Sequence, residues 1–373
     1  PSVSSSLIVS DLVDLPAVSY GKIRLGWAQV GNDASAYQLI DPYLADVAFG
    51  GAPRFTASNQ LRNSNLKPEI TESWEAGAEV RFLEDRLGLD FTYYSTETRN
   101  QIVPVQISPL TGFTSKILNA GTISNKGIEL LVDATPVLLD NGFRWDVTAN
   151  FGKNNNEVVS LAEGLETLTL DTYYGVSVQA RVGESYGSMY GRQYVRDDQG
   201  RIVIGDNGRP LNTSDNPNGY LGNYNPDWTG GLRNTLRYGP VSAYVQIDGQ
   251  KGGAIYSLTQ AYGVRSGVLA ESLEGRREGR TPEEGGGLIV PGVRDVDGVM
   301  VPNDIVVDAQ DYWRNLTGLH EEFVHDASYM KLREVRIGFR VPQTWTSRIG
   351  LSTAEIALIA RNLALCSDVP HID

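Results

Sequence analysis

Nine segments of this chain alternate apolar and polar residues, and the connectors between them alternate between very short and very long. The segments lie near residues 20–30, 72–82, 87–97, 126–135, 143–153, 228–238, 241–249, 329–341 and 354–363, and a further partial strand before Tyr20 fits the same pattern. A period of two belongs to an extended strand with one apolar and one polar face. The short connectors are 83–86 (LEDR), 136–142 (TPVLLDN), Gly239-Pro240 and 342–352 (PQTWTSRIGLS). The long ones are 31–71, 98–125, 154–227 and 250–328, and they fall at every second position. Loops of a soluble β-sandwich cluster at about 2–6 residues, so a sandwich explains the strands but not the rhythm. An up-and-down barrel in an outer membrane explains both, because its periplasmic turns are tight and its extracellular loops are long. The sequence therefore predicts an all-β, transmembrane, antiparallel up-and-down β-barrel. The short turns are expected on the periplasmic side and the four long regions outside, with 154–227 and 250–328 the largest.

The clearest strand is TESWEAGAEVRF. Trp74, Ala76, Ala78, Val80 and Phe82 share one face, and Ser73, Glu75, Gly77, Glu79 and Arg81 share the other. FRWDVTANFG sets Phe143, Trp145, Val147, Ala149 and Phe151 against Arg144, Asp146, Thr148 and Asn150. GIELLVDA sets Ile128, Leu130, Val132 and Ala134 against Glu129 and Asp133. An Arg or Lys facing lipid at the bilayer centre costs about 2–4 kcal/mol, so the charged set is expected to face the lumen. Trp74, Phe82, Trp145, Phe151, Trp228, Tyr238, Tyr329, Phe339 and Trp345 sit near segment ends, as interfacial girdles would. In REVRIGFRV the outward set is Val335, Ile337, Phe339 and Val341, with Glu334, Arg336 and Arg340 inward. Lys331 and Arg333 share the outward parity, so that end is expected to project above the bilayer.

Composition narrows the function. A net charge of −13 with scattered basic residues argues against nucleic-acid binding. No run of eighteen apolar residues is present, which excludes a transmembrane helix but not barrel strands. Forty Gly and eighteen Tyr favour strands and turns over helices. The single cysteine, Cys366, cannot form an internal disulfide.

Several short motifs imitate chemistry. Gly183-Glu184-Ser185-Tyr186-Gly187 spells the nucleophile elbow of hydrolases, but no periodic apolar helix follows it, as that motif requires. His320 to His325 (HEEFVH) is one residue longer than the zinc helix H-E-x-x-H, so it reads as solvated loop leading into the 329–341 strand. Asp295-Val296-Asp297-Gly298 and Asp206-Asn207-Gly208 hint at calcium yet lack a full ligand set, so ordinary turns and no cofactor are expected. VRDDQGRIVIGDNGRP reads as a small hairpin with Gln199-Gly200 at its tip. The remaining candidates are loop aromatics, Tyr173, Tyr174, Tyr220, Tyr224, Tyr312 and Trp313, whose flat apolar faces and polar handles suit sugars or peptides. No catalytic or metal-ligating set emerges, so no enzyme is expected.

The stretches NLKPEITESWEAGAEVRF, NAGTISNKGIEL, VGESYGSMYG, YNPDWTGGL, DASYMKLREVRIGFRVP and ARNLALCSDVPHID stand in one order and spacing. Together they resemble the C-terminal barrel region of SusC/RagA-type TonB-dependent transporters of the Bacteroidota outer membrane. The resemblance implies a 22-stranded barrel with an N-terminal plug, driven by the TonB complex. It also implies a SusD-like surface lipoprotein acting as a lid, and oligosaccharides or peptides as cargo. Cys366 departs from the bulkier residue expected in the NLAL run. Plug and closing strand are not recognisable and the sequence stops at Asp373, so the chain is expected to be part of a longer polypeptide that does not fold alone. A structural or adhesive barrel and a siderophore or cobalamin receptor are the competing functions.

Overall fold

The computed structural model describes residues 1–13, 16–213, 219–276, 283 and 285–370. Residues 214–218 and most of 277–284 in the two largest connectors, and His371-Ile372-Asp373 of the final motif, lie outside the described residues. Ten strands form one antiparallel sheet in strict chain order. They are β1 (Ser2–Ile8), β2 (Val18–Asn32), β3 (Glu69–Phe82), β4 (Leu87–Arg99), β5 (Gly121–Leu138), β6 (Phe143–Leu161), β7 (Trp228–Tyr238), β8 (Val241–Lys251), β9 (Tyr329–Arg340) and β10 (Glu355–Ser367). Each expected segment lies on one of these strands, and β1 is the strand before Tyr20. β5 and β6 run well past the expected 126–135 and 143–153, pairing as far as Gly121 with Leu161. Alternation fails there because the KNNNE stretch is polar on both faces, as backbone beyond a bilayer can be.

The ladder registers put like with like. Trp27 pairs with Trp74, their rings 6.2 Å apart, and Phe91 lies between Ala78 and Leu130. Val132 pairs with Ala149, and Leu232 with Ile247. This apolar row is unburied: Leu25, Trp74, Phe91, Ile337, Ile356 and Leu358 are all exposed, as a lipid-facing surface would be. Asn234 is a polar residue within the row, and the Trp145 indole N–H donates to it at 3.1 Å. Cys366 pairs with Met330 on the same row and is exposed.

The opposite row carries the charges and ties strands together. Arg24 of β2 reaches across β3 to Asp90 of β4 at 2.5 and 2.9 Å and to Thr92 at 2.8 Å. Gly77 lies beneath that guanidinium, and a Cβ there would stand 2.6 Å from the Arg24 Nε. Any larger residue would lift the bridge. Gly127 serves Tyr94 in the same way, letting its hydroxyl cross β5 to Asn154 at 3.1 Å.

The parity expected for Lys331 and Arg333 is overturned. Arg333 is an extra residue in a β-bulge, between Leu332 paired with Ile247 and Glu334 paired with Gln246. The neighbouring ladder absorbs the same shift, with Leu332 opposite Ala364 and Glu334 opposite Arg361, and Asn362 takes φ +54°. A bulge resets the inward and outward alternation. Leu332 and Met330 therefore join the apolar row, while Lys331 pairs with Asp248 and Arg333 forms an ion pair with that carboxylate.

The largest buried clusters lie mainly in the long connectors, with Val158 at the far end of β6 contributing to one of them. Residues 154–227 contain a four-stranded sheet of Thr167–Tyr173, Val176–Arg181, Ser188–Gly191 and Gly219–Asn223. Residues 250–328 contain two helices that strand-oriented reading missed, α1 (Leu258–Ser266) and α2 (Ala309–Leu316). Both start at side-chain caps, the Ser257 hydroxyl accepting from Gln260 N at 3.3 Å and Asp308 from Asp311 N at 2.8 Å. No helix among the described residues is long and apolar enough to cross a membrane. The 98–125 connector holds paired strands, Ile102–Gln106 with Ser115–Asn119, and the 31–71 connector an exposed hairpin, Tyr43–Phe49 with Ala52–Ala57.

Row assignment is tested by paired substitutions on β5. Val132→Arg, on the apolar row, is expected to cost about 2–4 kcal/mol of stability in lipid vesicles. Leu131→Arg faces Asp90 and Asn150 across the ladders and is expected to be nearly neutral. Urea unfolding curves of the two variants in the same vesicles measure this, and equal costs would contradict the assignment.

Candidate functional site

The 154–227 and 250–328 connectors fold against each other into one cap. Ile204 N–H donates to Val293 O at 2.7 Å, Arg196 pairs with Glu321 at 2.8 Å, and the Tyr194 hydroxyl donates to Glu322 at 2.6 Å. His320 is the centre of this junction, only 3% exposed. Its Nδ1 accepts from Arg192 N–H at 3.0 Å, and Glu321 N–H returns a bond to Arg192 O at 3.1 Å. Gly175 and Gly191 flank the ring, where a Cβ would approach it to 2.6 and 2.7 Å.

The solvated-loop reading of residues 320–325 is therefore wrong. His320 to Phe323 form a short helical turn that buries His320 and Phe323, and Glu321 and Glu322 point to the other connector. His325 Nε2 is bonded to Gln260 Oε1 at 2.6 Å. The other imitated motifs make local contacts. The Ser185 hydroxyl donates to Asn156, an amide with no basicity to activate it. Asp297 and Gly298 take φ +54° and +85° as the turn of the hairpin Val293–Val296 with Val299–Pro302. The Asp295 carboxylate accepts from Gly298 N–H at 2.7 Å. Arg196 bridges to Ile202 across the expected small hairpin, and Gly200 N–H donates to Asp197 O at 2.9 Å at its tip.

The predicted aromatics separate into groups. Tyr174 and Gly175 form the tight turn between Thr167–Tyr173 and Val176–Arg181, with φ +49° and +89°. A bulky residue in this left-handed conformation costs of order 1–3 kcal/mol. The surroundings hold it: the Tyr174 ring meets Tyr173 edge-on at 4.8 Å and Tyr262 of α1 at 5.3 Å. Tyr173 and Tyr174 are both more than half exposed, so their faces are open to a ligand. Tyr220 is exposed and packs edge-on against buried Tyr190 at 5.7 Å, while Arg181 lies 3.4 Å over the Tyr190 ring. Burial and the Glu184 carboxylate push the Tyr190 phenol up to about 12. Tyr224 covers Gly187, whose missing side chain leaves room for the ring.

Trp313 belongs elsewhere. It is 8% exposed in the core of the cap with Ala261, Val264, Leu316, Leu319 and Phe323, and its indole N–H donates to Glu274 O at 3.2 Å. It holds the cap together and offers no free face. Tyr312 packs edge-on against it at 4.8 Å, and burial pushes its phenol up to about 12.

A cavity of about 380 Å³ opens beside the Tyr174 turn. Tyr174, Arg192, Tyr256, Tyr262, Arg265 and His320 line it. An adjoining cavity of about 390 Å³ shares Arg192 and Gly318 and is lined by Arg209, Asn212 and Tyr312. Sequence reading found Tyr174 and Tyr312 but missed Arg192, Tyr256, Tyr262, Arg265 and His320. Tyr262 and Arg265 stand three apart on the capped α1, which is the one local signal that places them on a common face.

Burial lowers the His320 pKa below its usual 6.5, Arg192 adds to the effect, and a hydrogen bond to the Tyr174 backbone works the other way. Burial lowers His325 as well, opposed by Glu322. A histidine held neutral in the fold contributes no pH dependence above about 6.5, where the unfolded form is also neutral. Below that value the unfolded form gains the proton more readily than the fold, so docking of the cap weakens as pH falls. Limited proteolysis within 154–227 and 250–328 is expected to be faster at pH 5 than at pH 7.5, and the His320→Gln/His325→Gln variant is expected to lose most of that difference. Cleavage unchanged with pH in the unmodified protein would contradict the assignment.

Residues 16–350 match the family model described as TonB dependent receptor-like, beta-barrel. A protein named a TonB-dependent receptor in Formosa agariphila is 25% identical over 97% of this chain and 36% of its own length. The TonB-dependent receptor SusC of Bacteroides thetaiotaomicron is 30% identical over 52% of this chain and 21% of its own. Among solved structures, the RagAB peptide transporter superposes with a TM-score of 0.75, at 18% identity, over 98% of this chain and 40% of that one. That likeness shows the fold. The chain thus spans roughly a third of the length of the curated relatives it matches over nearly its whole extent. With the match covering most of its residues, this chain belongs to the TonB-dependent receptor β-barrel family.

Proposed function

We propose that this chain is barrel and cap of an outer-membrane importer that takes up large nutrients, oligosaccharides or peptides, under TonB drive and with a surface lipoprotein as its lid. The observation that carries the reading is that the two largest connectors form one docked cap, with an aromatic cavity beside its seam, instead of separate loops. Strands alone would make a wall. A built surface at the long-connector end gives that wall a ligand-facing side, which we take to be extracellular because short turns occupy the other end. Family membership supports the coupling to TonB, and the fold shared with the RagAB peptide transporter supports peptides among the cargo considered. The hairpin Tyr43–Phe49 with Ala52–Ala57 supports a protein partner. Tyr43, Val47, Phe49 and Phe55 stand exposed on it, and exposed apolar patches mark interaction surfaces.

The test uses the full-length protein in its own cells. Deleting its gene is expected to abolish uptake of a fluorescently labelled oligosaccharide or peptide that supports growth. Affinity-tagged protein is expected to bring down a lipoprotein, and Phe49→Asp/Phe55→Asp to reduce its recovery by about tenfold, as loss of buried aromatic anchors does. Undiminished uptake without the gene would overturn the import reading, and no lipoprotein in the purified complex would overturn the lid.

A further inference from the structure

The cavity beside the Tyr174 turn is positively charged in a chain of net charge −13. Arg192 and Arg265 both line it, and no Asp or Glu does. Fifteen ion pairs are formed among the described residues, and neither of these two arginines takes part in one. The Arg192 Nε is buried with no hydrogen-bond partner among the described residues. A buried, unpaired guanidinium nitrogen is costly, and such groups call for a partner. In the adjoining cavity, which shares Arg192, the Asn212 Oδ1 is buried and unpartnered as well. The two cavities together thus offer one orphaned donor and one orphaned acceptor, next to the partly exposed rings of Tyr174 and Tyr262.

We propose that these cavities bind an oligosaccharide containing a uronic acid, whose carboxylate lies on Arg192 and Arg265. The proposal rests on the import reading and names the cargo class. A guanidinium fork matches a carboxylate in two parallel hydrogen bonds. The apolar face of the same sugar ring stacks on Tyr174 or Tyr262, and a hydroxyl of the next ring donates to Asn212 Oδ1. Arg265 already lies 5.8 Å over the Tyr262 ring, so charge and ring face are presented side by side, as they are on a hexuronate. A peptide fits less well. Extended peptides take much of their affinity from an open strand edge, whereas the walls here are mainly α1, a tight turn and the end of α2 with the helical turn at His320, and the one short strand among them, Ala254–Tyr256, is already paired with Val324–Asp326.

The test is calorimetric titration of the full-length transporter in detergent with a galacturonic acid oligomer, a galactose oligomer of equal length and a tripeptide with a free carboxylate. The uronide is expected to bind most tightly, and more weakly as salt rises. Arg192→Gln and Arg265→Gln are each expected to weaken uronide binding by about tenfold or more, the loss of a charge-assisted hydrogen bond. Galactose oligomer binding should change by less than about twofold, well under 1.4 kcal/mol. Arg265 is exposed on α1, so its variant tests the site even if Arg192→Gln disturbs the cap. Uronide binding no tighter than that of the neutral sugar, uronide affinity unchanged in Arg265→Gln, or stronger binding of the tripeptide would overturn the proposal. Each of these leaves the import reading to the uptake experiment, which uses no mutation in this cavity.

Discussion

A strand crossing a bilayer has no water to satisfy its peptide groups, so every N–H and C=O must be paired within the sheet. The rest of this structure follows from that constraint. Pairing on both sides fixes a meander in chain order, and the meander forces connectors to alternate between the two ends. The pleat then divides each strand into one row for lipid and one for the lumen. The Arg24 to Asp90 bridge can form only because both residues lie in the lumen row and Gly77 clears the path between them. The bulge at Arg333 obeys the same constraint. It sacrifices one position of ladder regularity so that Met330 and Leu332 keep the apolar row while Arg333 reaches Asp248.

Beyond the membrane the constraint is lifted, and a different physics organises the chain. The long connectors are free to use helices, mixed polarity and a conventional buried core. Their organising contact is His320, held neutral by burial and wedged between two glycines, so that a single imidazole locks the turn at Tyr174 onto the segment after α2. The cavity that results is a by-product of that locking. Its rings and guanidinium groups come from three separate parts of the connectors and meet only when the cap is docked.

This division explains what could be read from sequence. The nine expected strands, their rows and the turns at Asp297-Gly298 and Gly200 were legible because each depends on residues a few positions apart. The parity of Arg333 was not, since a bulge is decided jointly by three strands and leaves β9's own alternation locally ambiguous. α1 and α2 were missed because each is only two to three turns long and sits between turn-forming residues, although Ser257 and Asp308 are readable caps. Tyr173, Tyr174, Tyr220 and Tyr224 proved accessible, and Trp313 proved to be core, a difference set by α2 packing that no local pattern records. Arg192 and His320 were invisible as site residues because their significance lies in each other, 128 positions apart.

The central claim is that the sheet's two rows face lipid and lumen, with their phase reset at Arg333. Nitroxide labels placed singly along β3 and β9 of the full-length protein in vesicles, in a Cys366→Ala background, report it through their accessibility to dissolved oxygen. Oxygen accessibility is predicted to peak at positions 76, 78 and 80, and on β9 at 330, 332, 335 and 337, with the two-residue rhythm broken once at 333. Uniform accessibility along both strands, or a rhythm that runs through 333 unbroken, would contradict the account.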